Sequence, residues 1–323
     1  MTLNRRQLMF AASAALAGPL AAQARYPDRP VTLLDPFTAG SNTDYFSRVL
    51  AEEMGKLLGQ PMVVENRAGA GGSVGAETVA RAKPDGYTLG MASVSTLVSN
   101  PAVNKALRYD PLTDFALITT LVTVPSATVV PANSPIKTLD DLVKAAKARP
   151  GTLSFASPGV GSAGHVLLEH FSHLAGARFN HVPYRGSGHI LNDLLGGQID
   201  VAGDNIPSLM PHIQSGKLRV LAIRDLKRLA QLPNASTYKE LGYEPVSQPL
   251  WFGLVGPASL PKDMVKRLSE AAHQAMKSPA FQQKAAIAAT TIAPSTPEEF
   301  HALVKRWLEQ FKATVQIARI VME

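Results

Sequence analysis

Small residues, most of them polar, occupy residues 38–43, directly after a predicted strand, and a turn of this kind favours binding of an anion. The apolar run at residues 31–37 predicts a buried strand, and an amphipathic helix begins near Asp44. Such a turn leaves main-chain N–H groups unpaired at the positive end of the helix, where a carboxylate can bind without arginine or lysine. We predict half of a carboxylate-binding cleft here, with these candidates: Phe37, Thr38, Ala39, Gly40, Ser41, Asn42 and Asp44.

A competing interpretation of this stretch is purely structural. A strand, a turn of small residues and a capped helix occur in many α/β proteins that bind nothing there. Asp44 in particular can cap the helix and compensate its dipole without touching a ligand.

The same pattern recurs at residues 153–174, where a short strand, a turn of small residues and an amphipathic helix follow one another. Two such turns in separate domains can close on one ligand from both sides. Polar residues at the ends of two other predicted strands, Ser95 and Asp204, would face the same cleft. The further ligand-binding candidates are Ser95, Ser157, Val160, Gly161, Ser162, His165 and Asp204.

Ser162 and His165 also raise the possibility of an exported serine hydrolase. The sequence lacks the G-x-S-x-G spacing of a nucleophile elbow, because Val160 stands where the first glycine should be. His165 is interpreted instead as a helix-start residue near the ligand or as a packed imidazole. The sequence therefore predicts no catalytic residue, with the hydrolase kept as an alternative.

No metal or organic cofactor is expected. His170 and His173 share a helical face, but no acidic residue completes a metal set near them, and the chain has 0 cysteines. The glycines at 69, 71, 72 and 75 do not give G-x-G-x-x-G, and they follow the second predicted strand rather than the first. They indicate close backbone packing at the rim of the cleft.

The composition of the 323-residue chain, with 46% hydrophobic and 18% charged residues, is typical of a soluble globular protein. Its formal net charge is +7, but the basic residues are scattered singly, so a nucleic-acid partner is not expected.

Residues 1–24 have the pattern of an export signal. Arg5 and Arg6 precede an apolar stretch at residues 8–22, and Ala-Gln-Ala at 22–24 is a small-x-small cleavage site near Ala24. We therefore expect a periplasmic protein. The two arginines leave a twin-arginine export route open, and a retained anchor is the alternative to cleavage.

The order of predicted elements gives an α/β chain of two domains. Domain 1 is expected to be discontinuous, from residues 25–125 plus 226–323, and domain 2 to comprise residues 126–225. After a strand at 251–255, two terminal helices are expected to complete domain 1. Capping-box patterns start helices at Thr138 and Thr296.

Several ordered motifs together resemble the substrate-binding proteins of tripartite tricarboxylate transporters, the Bug family. The motifs are YPDRPV at 26–31, PFTAG at 36–40 with Thr43 and Asp44, VENRAGAGG at 64–72, PDGYTL at 84–89, YDP at 109–111 with DF at 114–115, HVPYRG at 181–186 and GKLR at 216–219. The resemblance implies a two-domain periplasmic-binding-protein-like fold of class II with a central cleft. It also implies that the cleft closes on a small organic carboxylate and presents it to integral-membrane permease subunits. We expect a monomer.

Two positions depart from the pattern of this family. Its usual triple glycine before Thr-Asp is Gly40-Ser41-Asn42 here, and its usual apolar residue before Pro-Phe is Asp35. Both changes predict a narrower or differently hydrogen-bonded pocket. A receptor that presents its ligand to a sensor kinase instead of a permease is an alternative that the sequence leaves open.

Overall fold

The computed structural model describes residues 26–320, which form two β-sheets with helices packed against them. The export signal predicted at residues 1–24 lies outside the described residues. The strands are, in chain order, β1 (Val31–Asp35), β2 (Met62–Asn66), β3 (Thr88–Ser93), β4 (Phe115–Val124), β5 (Ser126–Pro131), β6 (Ser154–Ser157), β7 (Asn180–Pro183), β8 (Val201–Asn205), β9 (Leu218–Arg224), β10 (Leu250–Pro257) and β11 (Thr291–Ile292).

Most helices lie between successive strands of the chain, and the last three follow β10. They are α1 (Asn42–Leu58), α2 (Ser73–Ala80), α3 (Asn100–Val103), α4 (Leu139–Ala148), α5 (Ala163–Ala175), α6 (Ser187–Leu195), α7 (Ile206–Gln214), α8 (Lys262–Met276), α9 (Pro279–Ile287) and α10 (Pro297–Ile317). Within residues 26–320, none of these helices combines the length and apolar character that a membrane span requires.

The C-terminal region contains three helices after β10, so the expectation of two terminal helices was wrong. Helix α8 ends before Ser278, whose hydroxyl accepts a hydrogen bond from the Phe281 N–H and caps a new helix that has Pro279 in its first turn. The chain therefore stops and restarts at Ser278, which adds a third helix to the two that were expected.

Each sheet mixes parallel and antiparallel pairs. The first sheet has the order β11-β4-β10-β3-β1-β2, with β1 parallel to both β2 and β3. The second has the order β7-β6-β8-β5-β9, with β6 parallel to β7 and β8. The chain crosses from the first sheet to the second at Pro125, between β4 and β5, and it returns between β9 and β10.

The segment between β9 and β10 packs on the second sheet before it returns. Thr237 forms a bridge with Ile223 of β9. The ring of Tyr238 packs edge-on against Phe171 of α5, with 5.4 Å between the ring centroids. We propose that the two lobes follow the two sheets, with crossovers after residue 125 and between β9 and β10.

Helix α1 is fixed on the first sheet by one apolar face. Phe46, Leu50 and Met54 of this helix are fully buried and pack in the same core cluster as Leu33 of β1. This packing brings the start of α1 to the carboxyl end of a parallel strand, which is where ligands bind in open α/β sheets.

Candidate functional site

The first turn, between β1 and α1, leaves two main-chain N–H groups without an acceptor among residues 26–320. Gly40 has φ of +79°, a left-handed conformation that suits glycine, and its N–H donates to the Asp44 carboxylate at 2.9 Å. Ser41 is the N-cap of α1, and its hydroxyl accepts from the Asp44 N–H. Among the described residues, the N–H groups of Asn42 and Thr43 have no acceptor. They are free donors at the positive end of the helix.

The second turn, between β6 and α5, is built in the same way. Ser162 is the N-cap, and its hydroxyl accepts from the His165 N–H at 3.2 Å. Gly161 has φ of +76° and donates its N–H to Nδ1 of the His165 ring. Within residues 26–320 the Gly164 N–H has no acceptor. The two helix starts therefore offer free N–H groups from both lobes.

A cavity of about 50 Å³ lies where these helix starts meet. Asn42, Thr43 and Gly164, which carry the free N–H groups, all contribute to its wall. An ordered water needs roughly 10–15 Å³ of such space, so the cavity suits a compact solute. The lining residues are Phe37, Ser41, Asn42, Thr43, Ser93, Val94, Ser95, Leu250 and Phe252 on one side, and Ser126, Pro158, Gly164, Leu167, Gly186, Ser187, Gly203, Asp204, Asn205 and Arg224 on the other.

The Asn42 side chain joins the two lobes across this cavity. Its Nδ2 donates to the Ser187 hydroxyl at 2.9 Å and to Oδ1 of Asp204 at 3.2 Å. Its Oδ1 accepts from the Ser208 N–H at 2.9 Å, and the residue is 4% exposed. The residue that departs from the glycine pattern of the first turn is thus a hydrogen-bonded link between the lobes.

Two serines of the first lobe make further contacts with the second turn. The Ser95 hydroxyl accepts from the Ala163 N–H at 3.0 Å, and the Ser99 hydroxyl donates to the Gly161 carbonyl at 2.8 Å. Ser95 therefore accepts the hydrogen bond of one N–H group at the start of α5, so that this group is not available to a ligand. Ser95 also lines the cavity.

The glycine-rich stretch brings the lobes into backbone contact at Gly71. A Cβ atom on Gly71 would lie 2.5 Å from the carbonyl oxygen of Val160 and 3.0 Å from the Ser162 nitrogen. The residue has φ of +62°. This is the close backbone packing that the sequence predicted for these glycines.

Asp35 stabilises the first turn from inside the protein. Its carboxylate accepts from the Phe37 N–H, the Thr43 hydroxyl and the Ser47 hydroxyl, at 3.0, 2.9 and 2.6 Å. Burial raises the pKa of Asp35 to about 6, although these hydrogen bonds favour the charged form. Asp35 lies outside the cavity wall, so it fixes the positions of ligand-side residues such as Thr43.

Asp204 provides a carboxyl group in the cavity wall. It is 3% exposed, and burial raises its pKa to about 6, against hydrogen bonds that include those from the Asn205 N–H and the Ser208 hydroxyl. Both of its oxygens already accept hydrogen bonds from the protein. Its main contacts therefore hold β8, α7 and Asn42 together.

Arg224 is one of several lining residues that the sequence did not predict for the site, and it is the charged one among them. The sequence predicts a strand at residues 218–223, directly before Arg224, and its scattered basic residues were interpreted as a sign against a nucleic-acid partner. The structure places Arg224 as the last residue of β9, with 3% exposure, in the wall of the cavity. Its position at the end of a predicted strand is the signal that could have found it, as it did for Asp204.

The predicted site residues divide into two groups. Phe37, Ser41, Asn42, Ser95 and Asp204 line the cavity, whereas Thr38, Ala39, Gly40, Asp44, Ser157, Val160, Gly161, Ser162 and His165 do not. Most of the second group belong to the two turns and hold their shape. Thr38, at the rim, donates its hydroxyl to the Arg185 carbonyl at 3.4 Å.

Asp44 stabilises the start of α1, which is the structural alternative that the sequence left open for it. Burial acts to raise the pKa of Asp44, but the hydrogen bonds and charge of Arg48, with the bonds from the Gly40 N–H and the Asn66 amide, lower the pKa below its ordinary value. Asp44 is 2% exposed and its ion pair with Arg48 has an N–O distance of 2.9 Å.

His165 is a packed imidazole in this structure. Its ring stacks on His181, with 4.2 Å between centroids, and burial lowers its pKa to about 4. The Ser162 hydroxyl is bonded to the main chain of His165, and no bond joins it to the imidazole among the described residues. A serine–histidine nucleophile pair is therefore not assembled here. Residues 26–320 also contain no cluster of three potential metal ligands.

Comparison with known proteins gives a consistent result. Residues 46–315 match the family described as tripartite tricarboxylate transporter family receptor, TctC. The chain is 35% identical over 309 residues to the protein BugT of Bordetella pertussis, which covers 95% of this chain and 94% of that protein.

Solved structures with the same fold include the periplasmic binding protein BugD, with a TM-score of 0.88, 32% identity and coverage of 92% of this chain and 100% of that one. Another is MatC from Rhodopseudomonas palustris with bound malate, with a TM-score of 0.85, 29% identity and coverage of 90% and 100%. These neighbours confirm the predicted periplasmic-binding-protein-like fold and the predicted family.

Proposed function

Because this chain belongs to the tripartite tricarboxylate transporter receptor family, we propose that it captures a small organic carboxylate between its two lobes and delivers it to membrane permease subunits. The family consists of periplasmic solute-binding receptors for carboxylates.

One observation carries the proposal. The free N–H groups of Asn42, Thr43 and Gly164 belong to two helix starts in different lobes, and all three residues line one cavity. Such donors, at the positive ends of helices, stabilise a carboxylate and cost no reorganisation when it binds. The malate seen in MatC is an acid of this class. We propose that the carboxylate of the ligand accepts hydrogen bonds from these three groups.

A binding experiment tests the proposal. The mature protein would be titrated with malate, succinate and other short organic acids, and its melting temperature and heat of binding measured. At a hundredfold excess over Kd, binding stabilises the folded state by about 2.7 kcal/mol. The control is succinamide, which keeps the chain length of succinate but carries no negative charge. Equal stabilisation by the amide and the acid, or none by any acid, would refute carboxylate capture.

We propose that the protein is not an enzyme. The bonding of Ser162 and His165 to the main chain supports this view. An ester panel that shows no turnover by the mature protein is the expected result, while turnover that Ser162→Ala abolishes would restore the hydrolase alternative.

We propose export to the periplasm, with cleavage near Ala24. The signal pattern at residues 1–24 and the periplasmic character of the family support the location. N-terminal sequencing of the exported protein tests the cleavage site. Export from cells that lack the twin-arginine system distinguishes that route from the general secretory one.

A further inference from the structure

The Arg224 guanidinium is a buried cation that has no carboxylate partner among residues 26–320. The ion pairs of the described chain do not include it. Within these residues its hydrogen bonding is limited to Nη2, which donates to the Tyr238 hydroxyl at 3.4 Å, and its buried Nε has no acceptor. Most of its N–H donors are therefore unused.

The contact with Tyr238 positions this cation without neutralising it. The Cζ atom of Arg224 lies 4.5 Å from the centroid of the Tyr238 ring, which is a cation–π distance. The ring holds the guanidinium in one place, but it supplies no negative charge. A buried cation without an anion is costly, so the arrangement lacks an anionic partner.

A ligand in the cavity can supply that anionic partner, because Arg224 and Ser126 both line the cavity. The two residues face each other across the antiparallel pair of β5 and β9. Asp204 is the one carboxyl group in the described lining, and its oxygens accept hydrogen bonds from Asn42, Asn205 and Ser208 instead. The unused donors of Arg224 are thus available to an acidic group of the ligand.

We infer that Arg224, with Ser126 beside it, binds a second acidic group of the ligand. The inference rests on the proposed function, in which the free N–H groups at the helix starts hold the first carboxylate. With a cation on a different element of the same cavity, the site selects compact dicarboxylates over monocarboxylates of the same chain length. Arginine suits this task because its planar fork matches the two oxygens of a carboxylate.

Calorimetry with matched pairs of acids tests this subsite. The mature protein would be titrated with malonate against propionate, succinate against butyrate, and adipate against hexanoate. The variants are Arg224→Gln, Arg224→Lys and, as a control with the same loss of charge, Arg228→Gln. Arg228 lies on the surface, where it pairs with Glu240.

The wild type is expected to prefer the diacid of at least one pair. Arg224→Gln should weaken the diacid about 10- to 100-fold, which is the range for a charge-assisted hydrogen bond, and leave the monoacid nearly unchanged. Arg224→Lys should retain part of the preference because it keeps the charge, and Arg228→Gln should retain all of it. If Arg224→Gln does not fold, Ser126→Ala must by itself reduce the diacid preference.

Four results would overturn the subsite. A wild type that binds both acids of every pair equally removes the inference but leaves carboxylate capture intact, and so does an Arg224→Gln variant with unchanged preference. Equal loss of both acids in that variant, with a lower melting temperature of the ligand-free protein, assigns Arg224 a structural role. Failure of the wild type to bind any acid of either class refutes the proposed function, and the subsite with it.

Discussion

Replacement of Asn42 by alanine should release the link between the lobes and weaken the binding of every ligand. The substitution removes the side-chain bonds to Ser187 and Asp204, at 2.9 and 3.2 Å, and the bond from the Ser208 N–H at 2.9 Å. At about 1 kcal/mol net for each bond, the lobes lose about 2–3 kcal/mol of mutual attraction. Because these bonds hold the two lobes together around the cavity, affinity should fall about 30- to 150-fold.

The effect of Asn42→Ala must have a different pattern from that of Arg224→Gln. Because the bonds of Asn42 act between lobes, diacids and monoacids should weaken by the same factor. Calorimetry gives this factor, and small-angle X-ray scattering of the liganded protein reports the spread of the lobes. The matched control is Thr38→Val, whose bond to the second lobe is long, at 3.4 Å, and partly exposed. It should change affinity little.

Wild-type affinity in Asn42→Ala, with an unchanged scattering profile, would refute the role of Asn42 as a link. A loss confined to diacids would instead mean that Asn42 acts on the ligand and not between the lobes. Asn42→Gly, which restores the residue type usual for the family, should behave like the alanine variant if the side chain is what matters.

Three further predictions concern pH, the glycine contact and the helix cap. Burial raises the pKa of Asp204 and Asp35 to about 6, so between about pH 4 and 6 the native state holds more protons than the unfolded chain, and the contribution of these groups to stability falls as pH rises. The free energy of unfolding of the wild type, measured in urea, should therefore fall between pH 4.5 and 7, and Asp204→Asn should make this fall smaller by about 1–3 kcal/mol. An identical pH dependence in the variant would contradict the raised pKa of Asp204. Gly71→Ala should destabilise the protein by about 1–3 kcal/mol more than Gly197→Ala, because both have positive φ but a Cβ on Gly197 meets nothing within 4 Å; equal melting temperatures would argue against the contact. Ser162→Ala should cost about 1 kcal/mol of stability through loss of the cap and leave ester turnover absent, as in wild type.

The local elements of this fold could be predicted from sequence because their signals are local. The capping boxes at Thr138 and Thr296 start α4 and α10 where they were expected, with the hydroxyl and the acid bonded as the pattern requires. The small-residue turns before α1 and α5 are likewise local, since each serine caps the helix that follows it directly. The restart at Ser278 also has a local signal, a serine cap followed by proline, which the expectation of two terminal helices overlooked.

The cavity wall could be predicted only in part because much of it depends on contacts between distant residues. Asn42 was identified as a departure from the glycine pattern, but its partner Ser208 lies 166 residues along the chain. Arg224 is buried because β9 pairs with β5 and because Tyr238 returns to cover it, and neither event leaves a mark in the local sequence. An arginine in isolation is expected at the surface, and this expectation outweighed the weaker signal of its position after a predicted strand.

A crystal structure of the mature protein with the tightest-binding acid of the panel tests the central claim most directly. We predict a carboxylate in the cavity, with its oxygens within about 3.2 Å of the main-chain nitrogens of Asn42, Thr43 and Gly164. An acid bound elsewhere, or one held in the cavity by side chains with these three nitrogens unengaged, would contradict it.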